Sequence, residues 1–512
     1  MGTGAGSAAT ALVRSASALA ALGAVDTLAG ATVVYASPAS PLAATTGTAI
    51  SGAAFALYNT GIQAESWVLK STLPPGLTLN GLDSNRNPTA TLTGPGTVAG
   101  AYVALEGTPT TSGTYYLDLV AYEYPGATGP YTPDFLYTVN VTGSTIVPVT
   151  IASAPVAQTV VAGTTAVFSV SATSAAALTY QWSLNGTVVA TSPRLVVTNP
   201  TTLGTSTYTI TVSNTSGGSA TASAALTVVS PTSTMGSNPG RLINESVLTL
   251  VPSGGQLSVG FFSSAAGQRL LIRGIGPGLS SFLSNVVADP SIQVFPSGSG
   301  TASAADDNWS TNGNAAAAIN AADSATGAFA LTAGSLDAAL VLTPTVAGSS
   351  VVYTPNTTGG SGLAEIYDYP TGTYVPGTTP RIVNLSTLFQ VSAGATLSAG
   401  FVVGGVTSKT FLIRAMGPTL AKAPFGLTGT MSDPQLTLVT SSGSVIATDT
   451  NWGGDTQLSA AAAQVQAFAF ATSPALADSA LLVTLAPGNY TAEATSASGA
   501  SGTVLIEIYE VP

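Results

Sequence analysis

The sequence predicts an all-β chain of tandem β-sandwiches, two of them Ig-like and two jelly-roll-like with one short helix each. Three observations carry this. Short alternating or apolar runs rich in β-branched residues recur, among them SVGFFSS (258–264), RLLIRGI (269–275) and VLIEIYEV (504–511). Gly-Pro, Asp-Pro, Pro-Gly and Ser-Gly pairs punctuate them. One unit then occurs twice, over 241–370 and 381–512.

The segments follow in order. Residues 1–36 hold a short apolar run, SASALAALGAV (15–25), behind Arg14, with Ala29-Gly30-Ala31 as a small-x-small pattern. This reads either as a signal peptide or as an apolar N-terminal arm available for docking on a neighbouring subunit. Residues 37–145 begin the sandwiches. Pro74-Pro75-Gly76 and Thr108-Pro109 mark turns, and Tyr115, Leu117, Leu119 and Ala121 form one face of a strand.

Residues 148–229 carry VAGTTAVFSVSAT, LTYQWSLNGTVVA and STYTITVSNTSG at the spacing of immunoglobulin strands B, C and F. Trp182 takes the strand-C tryptophan position. Val170 and Ile210 take the places where an antibody domain puts its cysteines, and Tyr208 stands two residues before Ile210.

The repeat is visible in matched words. Arg241-Leu242-Ile243-Asn244 returns as Arg381-Ile382-Val383-Asn384, and LLIRGIGPGL (270–279) as FLIRAMGPTL (411–420). Asp289-Pro290, Asn308-Trp309, Asp337 and Glu365 return as Asp433-Pro434, Asn451-Trp452, Asp478 and Glu507. The linker TGTYVPGTTP (371–380) has the Pro/Gly/Thr composition of a joint. NAAAAINAAD (314–323) and QLSAAAAQVQAF (457–468) predict one short helix per copy, with Asp455 or Thr456 capping the second.

These words resemble a repeat found near the C-termini of large secreted proteins of Verrucomicrobia-type bacteria. The last 40 residues also look like bacterial pre-peptidase C-terminal jelly rolls. Residues 148–229 resemble bacterial Ig-like domains, and 37–145 resemble the Ig/cadherin-like repeat of bacterial surface proteins, without the Asp-rich calcium linkers of cadherins. The resemblances imply an extracellular or cell-surface setting and bring no catalytic activity.

Composition narrows the chemistry. There is no Cys and no His, which excludes thiol and imidazole catalysis, Cys/His zinc sites and a Ser-His-Asp triad. Charged residues make up 6% of the chain against about 25% in ordinary soluble proteins, net charge is −11, and the lysines are Lys70, Lys409 and Lys422 alone. Nucleic acid is therefore not an expected partner. No run of about 18 apolar residues predicts a transmembrane helix.

Few constellations carry chemistry. Asp449, Asn451 and Asp455 space oxygen ligands as a Ca²⁺ loop does, or else form a turn and a helix cap. Arg273 and Arg414 lie inside apolar strands. They predict buried ion pairs, Arg273 with Asp337 or Glu365 and Arg414 with Asp478 or Glu507, or a carboxylate-binding arginine. Trp67, Trp182, Trp309 and Trp452 are either core or sugar-stacking platforms. No cofactor is expected beyond that calcium.

The expected function is structural and not enzymatic: an extracellular or cell-surface protein, adhesive or self-assembling into a filament, sheath or array with itself or other surface proteins. Low charge, scarce lysine and many strand edges favour pairing between chains. The alternative is an accessory module that binds polysaccharide or another ligand.

Overall fold

The computed structural model describes residues 33–50, 52–58, 63–311, 315–370, 372–472 and 477–512. The predicted signal or arm, up to residue 32, lies outside them. The described chain is mostly β, in several sandwich sheets with two short helices. It falls into two compact units.

The first unit is built on the N-terminal sandwich. Its first strand, Val33–Ser37, begins within the segment read as an arm and pairs with Ala53–Tyr58. One sheet holds these two with Tyr102–Gly107, Leu77–Leu82 and Pro88–Leu92. The other orders Leu42–Thr45, Phe135–Thr142, Gly113–Tyr124, Ser66–Leu69 and Gly96–Ala99, with Thr128–Tyr131 on Gly113–Tyr124. Alternation along Gly113–Tyr124 sends Leu117, Leu119 and Ala121 into the core beside Trp67 and Tyr137.

The second unit contains most of the Ig-like sandwich and both repeats. The Ig-like sheet orders Gln158–Val161, Ser219–Val229, Gly204–Asn214, Leu178–Leu184 and Thr187–Ala190. Trp182, Val170 and Ile210 are all buried there. Phe168 packs on both Trp182 and Tyr208, with ring centroids 6.1 and 5.6 Å away, and buried Val170 and Ile210 hold the two disulfide positions.

The first repeat supplies strands β1 (Arg241–Val251), β2 (Leu257–Ser263), β3 (Leu270–Ile275), β4 (Pro290–Pro296) and β5 (Ala304–Asp306). After helix α1 (Ala315–Thr326) come β6 (Ala338–Leu342), β7 (Gly348–Pro355) and β8 (Gly360–Asp368). The second repeat supplies β9 (Ile382–Val391), β10 (Leu397–Gly404), β11 (Lys409–Met416), β12 (Pro434–Thr440) and β13 (Val445–Asp449). After α2 (Thr456–Gln464) come β14 (Ser479–Leu485), β15 (Gly488–Ser496) and β16 (Gly502–Glu510).

Each repeat has jelly-roll order: β6-β3-β8-β1 over β5-β4-β7-β2, and likewise β14-β11-β16-β9 over β13-β12-β15-β10. The two rolls do not stand apart as successive sandwiches. Strand β1 pairs antiparallel with β10, and β2 with β9, so both sheets run through the joint as eight strands each. One hydrophobic core passes through both repeats, from Ile292 and Leu257 to Phe401 and Leu436. The described part of the linker, 372–380, therefore crosses a seam inside one sandwich pair. The strand edges that the sequence leaves open at β1, β2, β9 and β10 are satisfied within the chain.

The Ig-like sandwich is seated on the second repeat. Val167 N donates to Thr484 Oγ1 at 2.7 Å, Ser408 N to Thr159 O at 2.7 Å and Thr165 N to Pro512 O at 3.1 Å. Arg194 reaches Asp455 at 3.0 Å, and Val167 joins the apolar cluster around Trp452 and Leu458.

Candidate functional site

The predicted arginines come first. Both guanidinium groups are fully buried. Strand pairing sets Arg273 opposite Glu365 and Arg414 opposite Glu507 on neighbouring strands. Arg273 Nε donates to Glu365 Oε2 at 2.8 Å, and Arg414 Nε to Glu507 Oε2 at 3.0 Å. Each Nη1 donates to a loop carbonyl at 2.6 Å, Phe329 O and Phe468 O respectively, and each guanidinium lies 4.2 Å from the ring of the same phenylalanine. Tyr367 and Tyr509 donate to the remaining oxygens of Glu365 and Glu507, at 2.7 and 2.6 Å. Each hub ties the third and last strands of a roll to the loop after its helix.

The aspartates offered as alternative partners do something else. Asp337 accepts from Gly276 N and Gly278 N at 2.8 and 3.1 Å, and from Ser335 Oγ at 2.7 Å. Asp478 accepts from Gly417 N at 2.8 Å and from Thr419. They hold the Gly-Pro turns that follow β3 and β11. Sequence reasoning missed Asp323 on α1, which pairs with Arg273 Nη1 at 2.9 Å. Ala462 holds the matching place in the second repeat, so no repeated word pointed to it.

The calcium candidates are engaged separately. Asp449 Oδ2 accepts from Ala480 N at 2.9 Å, as Asp306 accepts from Ala339 N in the first repeat. Asn451 Oδ1 accepts from Gly453 N at 2.7 Å, and Asp455 caps α2 through Gln457 N and Leu458 N while pairing with Arg194. Among the described residues no three acidic side chains form a group able to hold a metal. All four tryptophans are buried, so none offers a ring to a sugar.

A second polar cluster, not read from the sequence, sits at the seam. Three of the chain's eleven basic side chains, Arg241, Arg381 and Lys409, stand near the carboxyl groups of Asp368 and Glu510 and the ring of Tyr374. Glu510 joins the rolls: its Oε1 accepts from Leu242 N at 2.7 Å and its Oε2 from Arg381 Nε at 3.0 Å. Lys409 Nζ lies 4.0 Å from Glu510 and forms no hydrogen bond among the described residues. Burial pushes its ammonium below the usual lysine range, against the pull of Glu510.

Repeat alignment places Gln268 where the second repeat has Lys409, and Gln268 hydrogen-bonds Asp368 directly. Burial pushes the Asp368 carboxyl up to about 7. Beside Lys409 opens a pocket of about 420 Å³, lined by Arg381, Asn384, Gln464, Gln466, Tyr509 and others, with half-exposed Phe262 among them.

No family model matches the chain, and no curated protein matches its sequence. Solved structures with partial likeness include the fibronectin(III)-like modules of Clostridium thermocellum CbhA, 12% identical over 39% of this chain and 95% of that one, TM-score 0.16. The N-terminal Ig1-2 module of the Drosophila receptor protein tyrosine phosphatase DLAR is 13% identical over 38% and 98%, TM-score 0.16. A titin domain is 24% identical over 17% and 99%, TM-score 0.16. Likeness at this level assigns neither family nor activity.

Proposed function

We propose that the chain is a non-catalytic structural protein of the cell surface or extracellular space, which assembles with further copies of itself. One observation carries the reading. The outer face of the second sheet of the N-terminal sandwich exposes a cluster of large side chains around the Asp118 carboxylate and the Lys70–Asp134 ion pair. Register places Tyr116, Tyr122, Tyr124, Tyr131 and Leu136 on that one face. Leu136 and Tyr131 are 64% and 69% exposed. A cluster of large apolar side chains left to water on a sparsely charged protein is what a protein contact buries.

Sedimentation and negative-stain microscopy of the full chain test this. The expected result is a regular polymer, and a monomer near 50.3 kDa for Tyr131→Ser combined with Leu136→Ser. A wild-type protein that stays monomeric at high concentration overturns it. The second reading, an accessory module for polysaccharide, draws on the same tyrosines as ring faces for sugars. Retention of a monomer on insoluble polysaccharide would favour it.

A further inference from the structure

The seam cluster holds more positive charge than its acids balance. Arg241, Arg381 and Lys409 face two acids, Asp368 and Glu510, and burial pushes the Asp368 carboxyl up and the Lys409 ammonium down. Glu510 has both oxygens committed, to Leu242 N and to Arg381. The Lys409 side chain is only 9% exposed. A lysine so placed loses hydration that a 4.0 Å neighbour does not replace.

The first repeat shows that the roll does not need this charge. Its glutamine at the matching position satisfies the local acid by a neutral hydrogen bond. The excess cation belongs to the second repeat alone, and it borders a pocket. The amides of Gln464 and Gln466 at the end of α2, together with the side-chain oxygen of Asn384, supply donors and acceptors of the kind that suit hydroxyl groups. Asn384 donates its own amide hydrogens to Leu385 O and Ile508 O, which fixes its side chain. Phe262 adds an apolar ring surface. The volume, about 420 Å³, falls within the range of small-molecule sites.

We infer that this pocket binds a small carboxylate-bearing polyol of the size of an acidic monosaccharide, with its carboxylate against Lys409 and the outer nitrogens of Arg381. The bound carboxylate supplies the missing counter-charge, and the amides take the hydroxyl groups. The inference does not depend on assembly through the tyrosine face, which lies in the other unit.

The test uses the full chain and sodium D-glucuronate as probe, followed by calorimetric titration and thermal unfolding. D-Glucose, sodium acetate and sodium sulfate serve as controls. Glucuronate is expected to bind and to raise the unfolding temperature, glucose to do neither, and acetate and sulfate to bind far more weakly. Lys409→Gln places the first repeat's residue at this position and is expected to fold, with about ten-fold or greater loss of glucuronate affinity.

An oligoglucuronate arm separates two sources of the same chemistry: binding at least as tight as the monomer's points to a polysaccharide end, binding of the monomer alone to a free sugar acid. Absence of glucuronate binding at millimolar concentration overturns the proposal. So does equal binding by folded Lys409→Gln, or acetate and sulfate binding as tightly as glucuronate.

Discussion

Glu245 shows what one buried acid does to a fold. It stands on β1 between Phe401 of β10 and Ile366 of β8, almost wholly buried, where the second repeat has Leu385. Thr387 Oγ1 lies 3.1 Å from Oε1, while Oε2 has no hydrogen-bond partner. Desolvation pushes its pKa from 4.5 up to about 8. The folded state therefore keeps a proton that the unfolded state releases. Stability through this group is greatest below pH 4.5, falls as pH rises toward 8 and is flat beyond. The slope is about 1.4 kcal/mol per pH unit within the window. In urea unfolding at pH 5 and pH 8, Glu245→Gln is expected to lose much less stability than wild type between the two. The arginine hubs give a second residue-scale prediction. Arg414→Met is expected to cost about 3–5 kcal/mol, as breaking a buried pair does. Arg273→Met is expected to cost more, because it strands both Asp323 and Glu365. Denaturant midpoints of the two variants check the order.

At the scale of elements, the two rolls fill one core slot with different side chains. Tyr353 on β7 pairs in register with Leu257 and Ile292; Ala494 on β15 pairs with the matching Leu397 and Leu436. The large ring is accommodated by glycines on β3 and β8. A Cβ on Gly274 would meet Ile292 Cγ2 at 2.5 Å, and one on Gly362 would meet Tyr353 Oη at 2.5 Å. The second repeat, with only Ala494 there, carries Ala415 and Val504 at those positions. Gly274→Ala alone is expected to destabilise by about 1–3 kcal/mol through overpacking. Adding Tyr353→Ala and Gly362→Val, which copies the second roll, is expected to recover much of that loss. Thermal unfolding of the single and triple variants decides it.

For the whole second unit, the consequence is cooperativity. The β1–β10 and β2–β9 pairings and the common core make the repeats halves of one body. A specific protease site built into the linker at 372–380, once cut, is expected to leave the halves bound through size-exclusion in native buffer. Calorimetry of the uncut chain is expected to show the two repeats melting in one transition. Separate elution of the halves, or two repeat transitions, would contradict a shared core. Sealing these edges also limits where chains can add to one another by strand pairing. The inner edges of the rolls are spent while their outer edge strands are not; the proposed assembly uses the tyrosine face of the first sandwich.

Much was legible in the sequence because it depends on local pattern. Alternation along RLLIRGI and VLIEIYEV marks strands, the buried Trp182 marks the Ig-like sandwich, and doubled words mark a doubled roll, since period-2 burial needs no knowledge of distant partners. The helix cap at Asp455 and the Arg–Glu pairs were within reach for the same reason: each recurs or sits at a fixed offset. What only the tertiary structure decided concerns which edges and charges meet. A strand's hydrogen-bonding groups are the same whichever neighbour they find, so nothing in β1 or β2 announces that the partner is in the next repeat rather than another chain. The seam brings Lys409 and Arg381 to Glu510, and Glu510 to Leu242, each across more than a hundred residues, and Asp323 to Arg273 from a helix with no acidic counterpart. Burial, which turns Glu245 into a proton-holding group and lowers the Lys409 ammonium pKa against the pull of Glu510, depends on the layers closing over them.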